Sequence, residues 1–219
     1  VKPDLIILFS GGADSVWMLE RALRSGHKPY CVLVDYDQNH KIELEFAKRY
    51  LNEKSVPSQI VKLHGLGLRS GLTTGEKSLY DDVHEMYVPS RNLMFVSIAA
   101  SIAENLNISV IWYGANFSDN AFPDCRVEWV SGMNYVLNIN GSSSIDLVAP
   151  ALWTSKEDII KDLEAMNIDM DKIFSGYLED NKYKVSLDFI GDKRLPKINV
   201  SGMLEEEEIE PGLWSRFKT

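Results

Sequence analysis

Ser10-Gly-Gly-Ala-Asp-Ser15 lies between the apolar run Leu5-Ile-Ile-Leu-Phe9 and a segment with Val16, Leu19 and Leu23 at helical spacing. The order reads as a buried strand, a tight glycine turn and a helix N-terminus. Backbone N–H groups converge at such a turn, and the helix dipole adds positive potential, so the place favours an anion. Gly11 and Gly12 let the backbone approach that anion closely, and glycine tolerates positive φ. Ser10 and Ser15 offer hydroxyls to phosphate oxygens. Asp14 is the odd member, because a carboxylate repels phosphate unless a cation lies between them. Mg²⁺ bound to phosphate and carboxylate oxygens resolves the conflict.

Working outward, Cys31-Val-Leu-Val-Asp35 reads as a second buried strand. A helix follows to about residue 53, with Ile42, Leu44, Phe46, Ala47 and Leu51 on its buried side, and then a short strand at Ser58–Leu63. Residues 64–88 are irregular. Arg91–Leu106 is an apolar helix, Ile108–Gly114 a buried strand, 115–125 a loop, and a helix runs on to about 138. Ile145–Val148 is a strand, and Ser155 caps a helix from Lys156 to about Met166. Alternating strands and helices predict an α/β fold, a doubly wound parallel sheet with helices on both faces. Ligands of such sheets collect beyond the C-terminal strand ends, where Ser10–Ser15 and Asp35-Tyr36-Asp37-Gln38 both fall.

The formal charge of −9 disfavours a broad nucleic-acid-binding face, so no nucleic-acid partner is expected. No apolar run approaches the ~18–20 residues that span a membrane, and no signal peptide is read, so a cytoplasmic, membrane-free protein is expected. Two cysteines, Cys31 and Cys125, suit a reducing compartment. Cys125 reads as a small buried hydrophobe, and Trp112 and Trp153 as core. His27, His64 and His84 lack metal-ligand spacing.

Neither the Walker pattern nor the Gly-x-Gly-x-x-Gly dinucleotide pattern is present. The loop instead resembles the PP-loop, SGGxDS, of ATP pyrophosphatases, whose fold is the adenine-nucleotide alpha-hydrolase type. Four further stretches extend the likeness. Asp35-Tyr-Asp-Gln-Asn-His40 with Glu43 resembles D-Y-G-Q-x-H-x-x-E. Val88-Pro-Ser-Arg-Asn92 resembles V-P-G-R-N, and Phe122-Pro-Asp-Cys-Arg126 resembles Y-P-D-C-R. Pro150 with Lys156 matches a proline and a lysine six residues on. Together, over about residues 4–166, they resemble the QueC family of 7-cyano-7-deazaguanine synthases.

That resemblance implies an ATP-dependent carbon–nitrogen ligase. ATP adenylates the carboxylate of 7-carboxy-7-deazaguanine and releases pyrophosphate; ammonia then gives an amide, and a second activation gives the nitrile. Asp14, Arg91 and Lys156 are the implied catalytic residues, with Asp14 on Mg²⁺. Ser10, Gly11, Gly12, Ala13, Asp14, Ser15, Asp35 and Tyr36 are the implied ATP contacts. Gln38, His40, Asn92, Phe122, Asp124 and Arg126 are the implied substrate contacts. A carboxylate at Asp124 matches a guanine-like N1–H and amino pair, although a plain helix cap is an alternative there. His40 has a structural alternative too. A bound phosphate would reconcile Lys156 with the helix N-terminus it occupies.

The last quarter departs from the family, whose members carry four zinc-binding cysteines there. Phe174–Tyr177 and Asp180–Leu187 hold none, so no zinc is expected. Ser90 and Ala121 also replace family glycines. The domain reading is therefore an ATP-binding domain over 1–170 and a divergent C-terminal lobe with an acidic tail over 171–219. The departure leaves the acceptor open. It is ammonia in the biosynthetic reading, or a partner protein's amine, as for QueC-like proteins of antiviral CBASS-type operons. A catalytically idle module binding ATP or a deazaguanine is a further alternative. A homodimer is compatible with all three.

Overall fold

In a computed structural model of the chain, the residues described are 2–36, 42–63, 88, 90–141, 144–170 and 173. The readings of the 64–87 segment, of Gln38 and His40, and of the C-terminal lobe lie outside the described residues.

Five strands form one parallel sheet: β1 (Leu5–Leu8), β2 (Pro29–Asp35), β3 (Ser58–Lys62), β4 (Val110–Trp112) and β5 (Asp146–Val148), in the order β3-β2-β1-β4-β5. Ile7 of β1 registers with Cys31 on one side and Trp112 on the other. The chain first builds outward from β1 to β3, then returns to lay β4 on the opposite side of β1. The switch point therefore falls between β1 and β4, the place where doubly wound sheets open a crevice for ligands.

Helices α1 (Ala13–Arg24), α2 (Ile42–Glu53) and α5 (Lys156–Ala165) supply one core layer, with Val16, Met18, Leu19, Ala47, Leu51, Ile159 and Leu163 packed on Leu5, Ile7, Cys31 and Leu33. Helices α3 (Arg91–Leu106) and α4 (Val127–Asn140) supply the other, with Val96, Ala99, Ala103, Val130, Met133 and Leu137 on Ile6, Val32, Ile111 and Leu147. Alternate residues of each strand thus enter opposite layers. That is why β1 reads as unbroken Leu-Ile-Ile-Leu rather than as alternating apolar and polar residues. Burial pushes the Cys31 thiol far up, so it behaves as a small core hydrophobe. No helix of the described residues is long and apolar enough to cross a membrane.

Helix α5 docks on α1 through polar ties as well as packing. Trp17 Nε1 donates to Asp162 Oδ2 at 3.0 Å, and Arg24 Nη2 donates to the Met166 carbonyl at 2.9 Å. This docking brings the start of α5 beside the start of α1.

Two details differ from the sequence reading. The strand expected over Ile108–Gly114 is ordered as strand only at Val110–Trp112. Beyond it Ala115 N–H donates to the Tyr113 carbonyl, which turns the chain out of the ladder. Trp153, expected in the core, is 69% exposed, while Ala151 fills the buried place with no exposure. The turn closed by Thr154 N–H on the Ala151 carbonyl needs a small inward residue there and swings the indole outward.

Candidate active site

The glycine loop leaves β1 at its C-terminal end and opens α1, as its sequence demands. Gly11 has φ +86°, and a Cβ on it would lie 2.9 Å from Ala47 Cβ of α2. Only glycine meets both conditions, the left-handed backbone and the close approach of a neighbouring helix. The serines organise the loop. Ser15 Oγ accepts from Gly11 N–H at 3.0 Å and donates to the Gly12 carbonyl at 2.9 Å, while Ser10 Oγ accepts from Gly12 N–H at 3.3 Å. Two loop N–H groups are thus engaged by serine hydroxyls, a use the sequence reading did not foresee.

Asp14 sits in the first turn of α1. Its Oδ2 accepts from the Lys156 ammonium at 2.6 Å, joining the N-termini of α1 and α5. The two side chains are 22% and 29% exposed, so the pair sits at the mouth of the crevice rather than in the core. A carboxylate therefore accounts for the cation at the start of α5, the part the sequence reading gave to a phosphate. Ser155 caps α5 as expected, its Oγ accepting from Asp158 N–H at 3.1 Å, and Ser118 Oγ accepts from Lys156 N–H at 3.0 Å. Asp14 Oδ1 is buried and has no hydrogen-bond partner among the described residues. Buried carboxylate oxygens are almost always satisfied, so this atom is a ready ligand for a cation. Among the described residues no three His, Cys, Asp or Glu side chains gather as a metal cage. A donor set of one carboxylate suits Mg²⁺, which completes its shell with phosphate oxygens and water, better than it suits a metal needing an all-protein site.

Across the crevice, Arg91 is the first residue of α3. Its Nη1 donates to Tyr36 Oη at 3.2 Å, and Tyr36 in turn lies against Phe95 at 5.4 Å between ring centroids. The C-terminal end of β2 thus holds the guanidinium in place. Asp35 ends that strand, and its carbonyl accepts from Leu63 N–H at 2.7 Å.

Asn92 Nδ2 donates to Asp124 Oδ2 at 2.7 Å and lies 3.1 Å from Tyr113 Oη; Tyr113 Oη donates to the Asp124 carbonyl at 2.8 Å. Asn92 is therefore committed to holding Asp124. Asp124 lies inside the short 3-10 turn Pro123–Cys125, and Arg126 occupies the N-cap of α4 without a side-chain cap bond. The capping alternative for Asp124 is thus not the one adopted. Arg126 straps its own loop, donating from Nε to the Asn120 carbonyl at 3.0 Å and from Nη2 to the Ala121 carbonyl at 2.9 Å. Phe122 N–H donates to the Asp119 carbonyl at 2.9 Å and fixes the same loop.

Asp119 and Tyr113 were not singled out from the sequence. Asn116, fully buried, donates from Nδ2 to Asp119 Oδ2 at 2.7 Å. Burial raises the Asp119 pKa above the usual aspartate range, and the Asp14 and Asp124 charges push the same way against Lys156. Asp119 therefore feels both sides of the crevice. The one signal in the sequence was the Asn-x-x-Asp spacing of residues 116–119, an Asx cap for a single turn. Burial likewise pushes Cys125 up to about 12, aided by Asp124 and Asp119, so its thiol is protonated and unsuited to nucleophilic attack.

The model of the family described as "Queuosine biosynthesis protein QueC" matches residues 4–186. The 7-cyano-7-deazaguanine synthase of Pseudoalteromonas translucida is 32% identical over 79% of this chain and 84% of its own length. That of Chromohalobacter salexigens is 36% identical over 79% and 73%. Among solved structures, the U34-tRNA thiolase NcsA of Methanococcus maripaludis, described with its [4Fe-4S] cluster, aligns with a TM-score of 0.53 at 12% identity. It covers 77% of this chain and 58% of that one, a likeness of fold. A doubly wound parallel sheet, a PP-loop at the end of its first strand, and a match over most of its length place this chain in the QueC family.

Proposed function

We propose that the chain is an ATP-dependent carbon–nitrogen ligase. In this reading it adenylates the carboxylate of 7-carboxy-7-deazaguanine and couples the activated acyl group to an amine. A carboxylate is a poor electrophile until one oxygen becomes a good leaving group. Its oxygen attacks the α-phosphorus of ATP and pyrophosphate leaves; the amine then attacks the carbonyl carbon, loses a proton and expels AMP. With ammonia the product is an amide; its oxygen then attacks the α-phosphorus of a second ATP, pyrophosphate leaves, and AMP departs carrying that oxygen as the nitrogen loses two protons, which gives the nitrile.

The observation that carries the reading is the Asp14–Lys156 contact at 2.6 Å beside the glycine loop, with Asp14 Oδ1 buried and unpartnered among the described residues. Mg²⁺ bound there would screen the phosphates from Asp14 and stabilise charge on the leaving pyrophosphate. Lys156 exchanges its carboxylate partner for a phosphate oxygen, and the loop N–H groups and the start of α1 receive the rest of the negative charge. Arg91, held on Tyr36, supplies a second cation across the crevice. The family membership and the relatives' names support the deazaguanine as substrate.

The absence of cysteine after Cys125, where the family resemblance implies zinc-binding cysteines, favours a second reading of the acceptor, an amine of a partner protein. A protein amine needs one activation where the nitrile needs two. Incubation with ATP, Mg²⁺ and the carboxydeazaguanine should yield pyrophosphate and AMP, and 7-deazaguanine without the carboxylate should yield neither. No pyrophosphate above the ATP-only blank would leave the idle binding module as the reading. Mass spectrometry separates the acceptors: free nitrile with ammonium supports biosynthesis, and a deazaguanine mass on a partner protein supports conjugation.

A further inference from the structure

Of the buried side chains among the described residues, only Glu20 carries a formal charge, and the proposed chemistry makes no use of it. It faces α2 from α1 and is 3% exposed. Tyr50 Oη donates to Glu20 Oε1 at 2.7 Å, the Lys54 ammonium reaches the same oxygen at 2.6 Å, and Arg24 Nε stands 3.8 Å from Oε2. Burial, and next the bond to Glu20, push the pKa of the Tyr50 hydroxyl well up, so it remains a donor. We infer that Glu20 is a positioning residue for the anion loop: through Tyr50 it fixes where α2 stands, and α2 is the wall against which Ser10–Ser15 is shaped.

A closed path of contacts joins the cluster to the loop. Ala47 and Tyr50 are three residues apart, so they share one face of α2. Ala47 stands directly behind Gly11, where a Cβ would come within 2.9 Å of its own. The Tyr50 ring stacks on Phe9, the residue that leads into the loop, at 6.3 Å between centroids and 28°. Glu20 belongs to α1, the helix that the loop opens, and Asp14 and Ser15 stand in its first turn. The Glu20–Tyr50 bond therefore ties loop, α1 and α2 into one ring of contacts.

A buried carboxylate is a poor stabiliser. Taking it out of water costs much of what its partners return, and apolar side chains of like volume are often as stable or more so. A hydrogen bond adds what an apolar contact lacks, a preferred direction and length. Apolar groups at these two positions would leave α2 free to shift along α1, whereas the Glu20–Tyr50 bond holds one register. An advance of α2 would press on Gly11, and a retreat would open space behind it.

The consequence for ATP rests on the proposed reaction and the consequence for the loop does not, so the test has two arms, both on the full chain. The first is urea titration. Glu20→Leu combined with Tyr50→Phe removes both partners together and should keep the unfolding midpoint within about a tenth of the wild type. Gly11→Ala should then shift the midpoint by less than about half as much in that background as in the wild type, because α2 can retreat from the added methyl. Glu20→Gln, which still accepts from Tyr50, should leave the Gly11→Ala shift at its wild-type size. The second arm is pyrophosphate release. The double variant should raise KM for ATP about tenfold, through a misplaced loop, and leave KM for the carboxydeazaguanine within about twofold, whereas general loosening would raise both. An equal Gly11→Ala shift in the two backgrounds overturns the inference, and so does the same relief in Glu20→Gln. A double variant that does not fold overturns it too, because the cluster would then be a stabilising element. So does an unchanged KM for ATP in an active double variant. A wild-type chain that releases no pyrophosphate, with the relief of Gly11→Ala present, sinks the proposed reaction alone.

Discussion

The two sides of the crevice are built on different principles. On the α1 side, Asp14 and Lys156 meet as a partly exposed charge pair, and one oxygen of Asp14 has no partner among the described residues. On the α3 side, Asn92, Tyr113 and Asp124 are linked by three short hydrogen bonds, all donated by a neutral amide or hydroxyl. A charge pair near water exchanges partners at little cost, since its net contribution is small. A half-buried network with its donors matched resists rearrangement, because a broken bond strands a poorly solvated polar group. The first side can change partners readily, and the second holds a fixed shape.

The comparison breaks most plainly at Asp14. Asp14→Ala should lower pyrophosphate release by about 10²–10³-fold, the usual cost of removing a charge-stabilising group. Stability should change by under about 1 kcal/mol in urea titration, because the lost pair is partly exposed and its orphaned oxygen goes too. A large loss of stability with activity retained would show that Asp14 belongs to the scaffold instead.

Gly11→Ala should act in the opposite sense, through the fold. The left-handed backbone and the 2.9 Å approach to Ala47 Cβ predict a destabilisation of about 3 kcal/mol by urea titration. A smaller cost would mean that α2 gives way.

Asp119 joins the two sides, and its effect should be read against pH. Its folded pKa is raised by burial first and by Asp14 next. Between the ordinary aspartate value and the raised one, the folded chain keeps a proton that the unfolded chain has released. Stability therefore falls as pH rises through that window, and the deficit persists above it. Asp119→Asn should flatten this part of the pH profile in thermal melts and leave the acid end, where both forms are neutral, nearly unchanged.

The smallest expected effect is at Ser90. It starts α3 with φ 55°, a left-handed conformation without glycine's freedom. Ser90→Gly should stabilise the chain by at most about 1 kcal/mol, the strain relieved less glycine's own entropy. The Asn92–Asp124 contact should survive, so pyrophosphate release should stay within about twofold of the wild type.

Much of the fold was legible because its signals are local. The strand, loop and helix around Ser10–Ser15 lie within one stretch, and the Ser155 cap needs only the bond to Asp158. The bounds of α3 came out at Arg91 and Leu106 as read, since its apolar face is continuous. Trp153 misled because residue type reports preference for burial, whereas the turn geometry at Ala151 decides which side chain points inward.

The site was legible as a set of residues but not as a set of roles. Asp14 and Lys156 were both named from the sequence, yet their contact spans 142 positions and depends on α5 docking against α1. Asn92 and Arg126 were named as substrate contacts, but the sequence did not show that Asn92 holds Asp124 or that Arg126 ties the 120–126 loop. By itself the sequence determined the order of elements, the phosphate-type loop and the family, because each depends on neighbours in the chain. The tertiary structure alone decided which charges face each other, which hydrogen-bond donors are already committed, and that Tyr113 and Asp119 belong to the crevice. Those depend on distances between strand ends and helix starts that only the closed parallel sheet brings together.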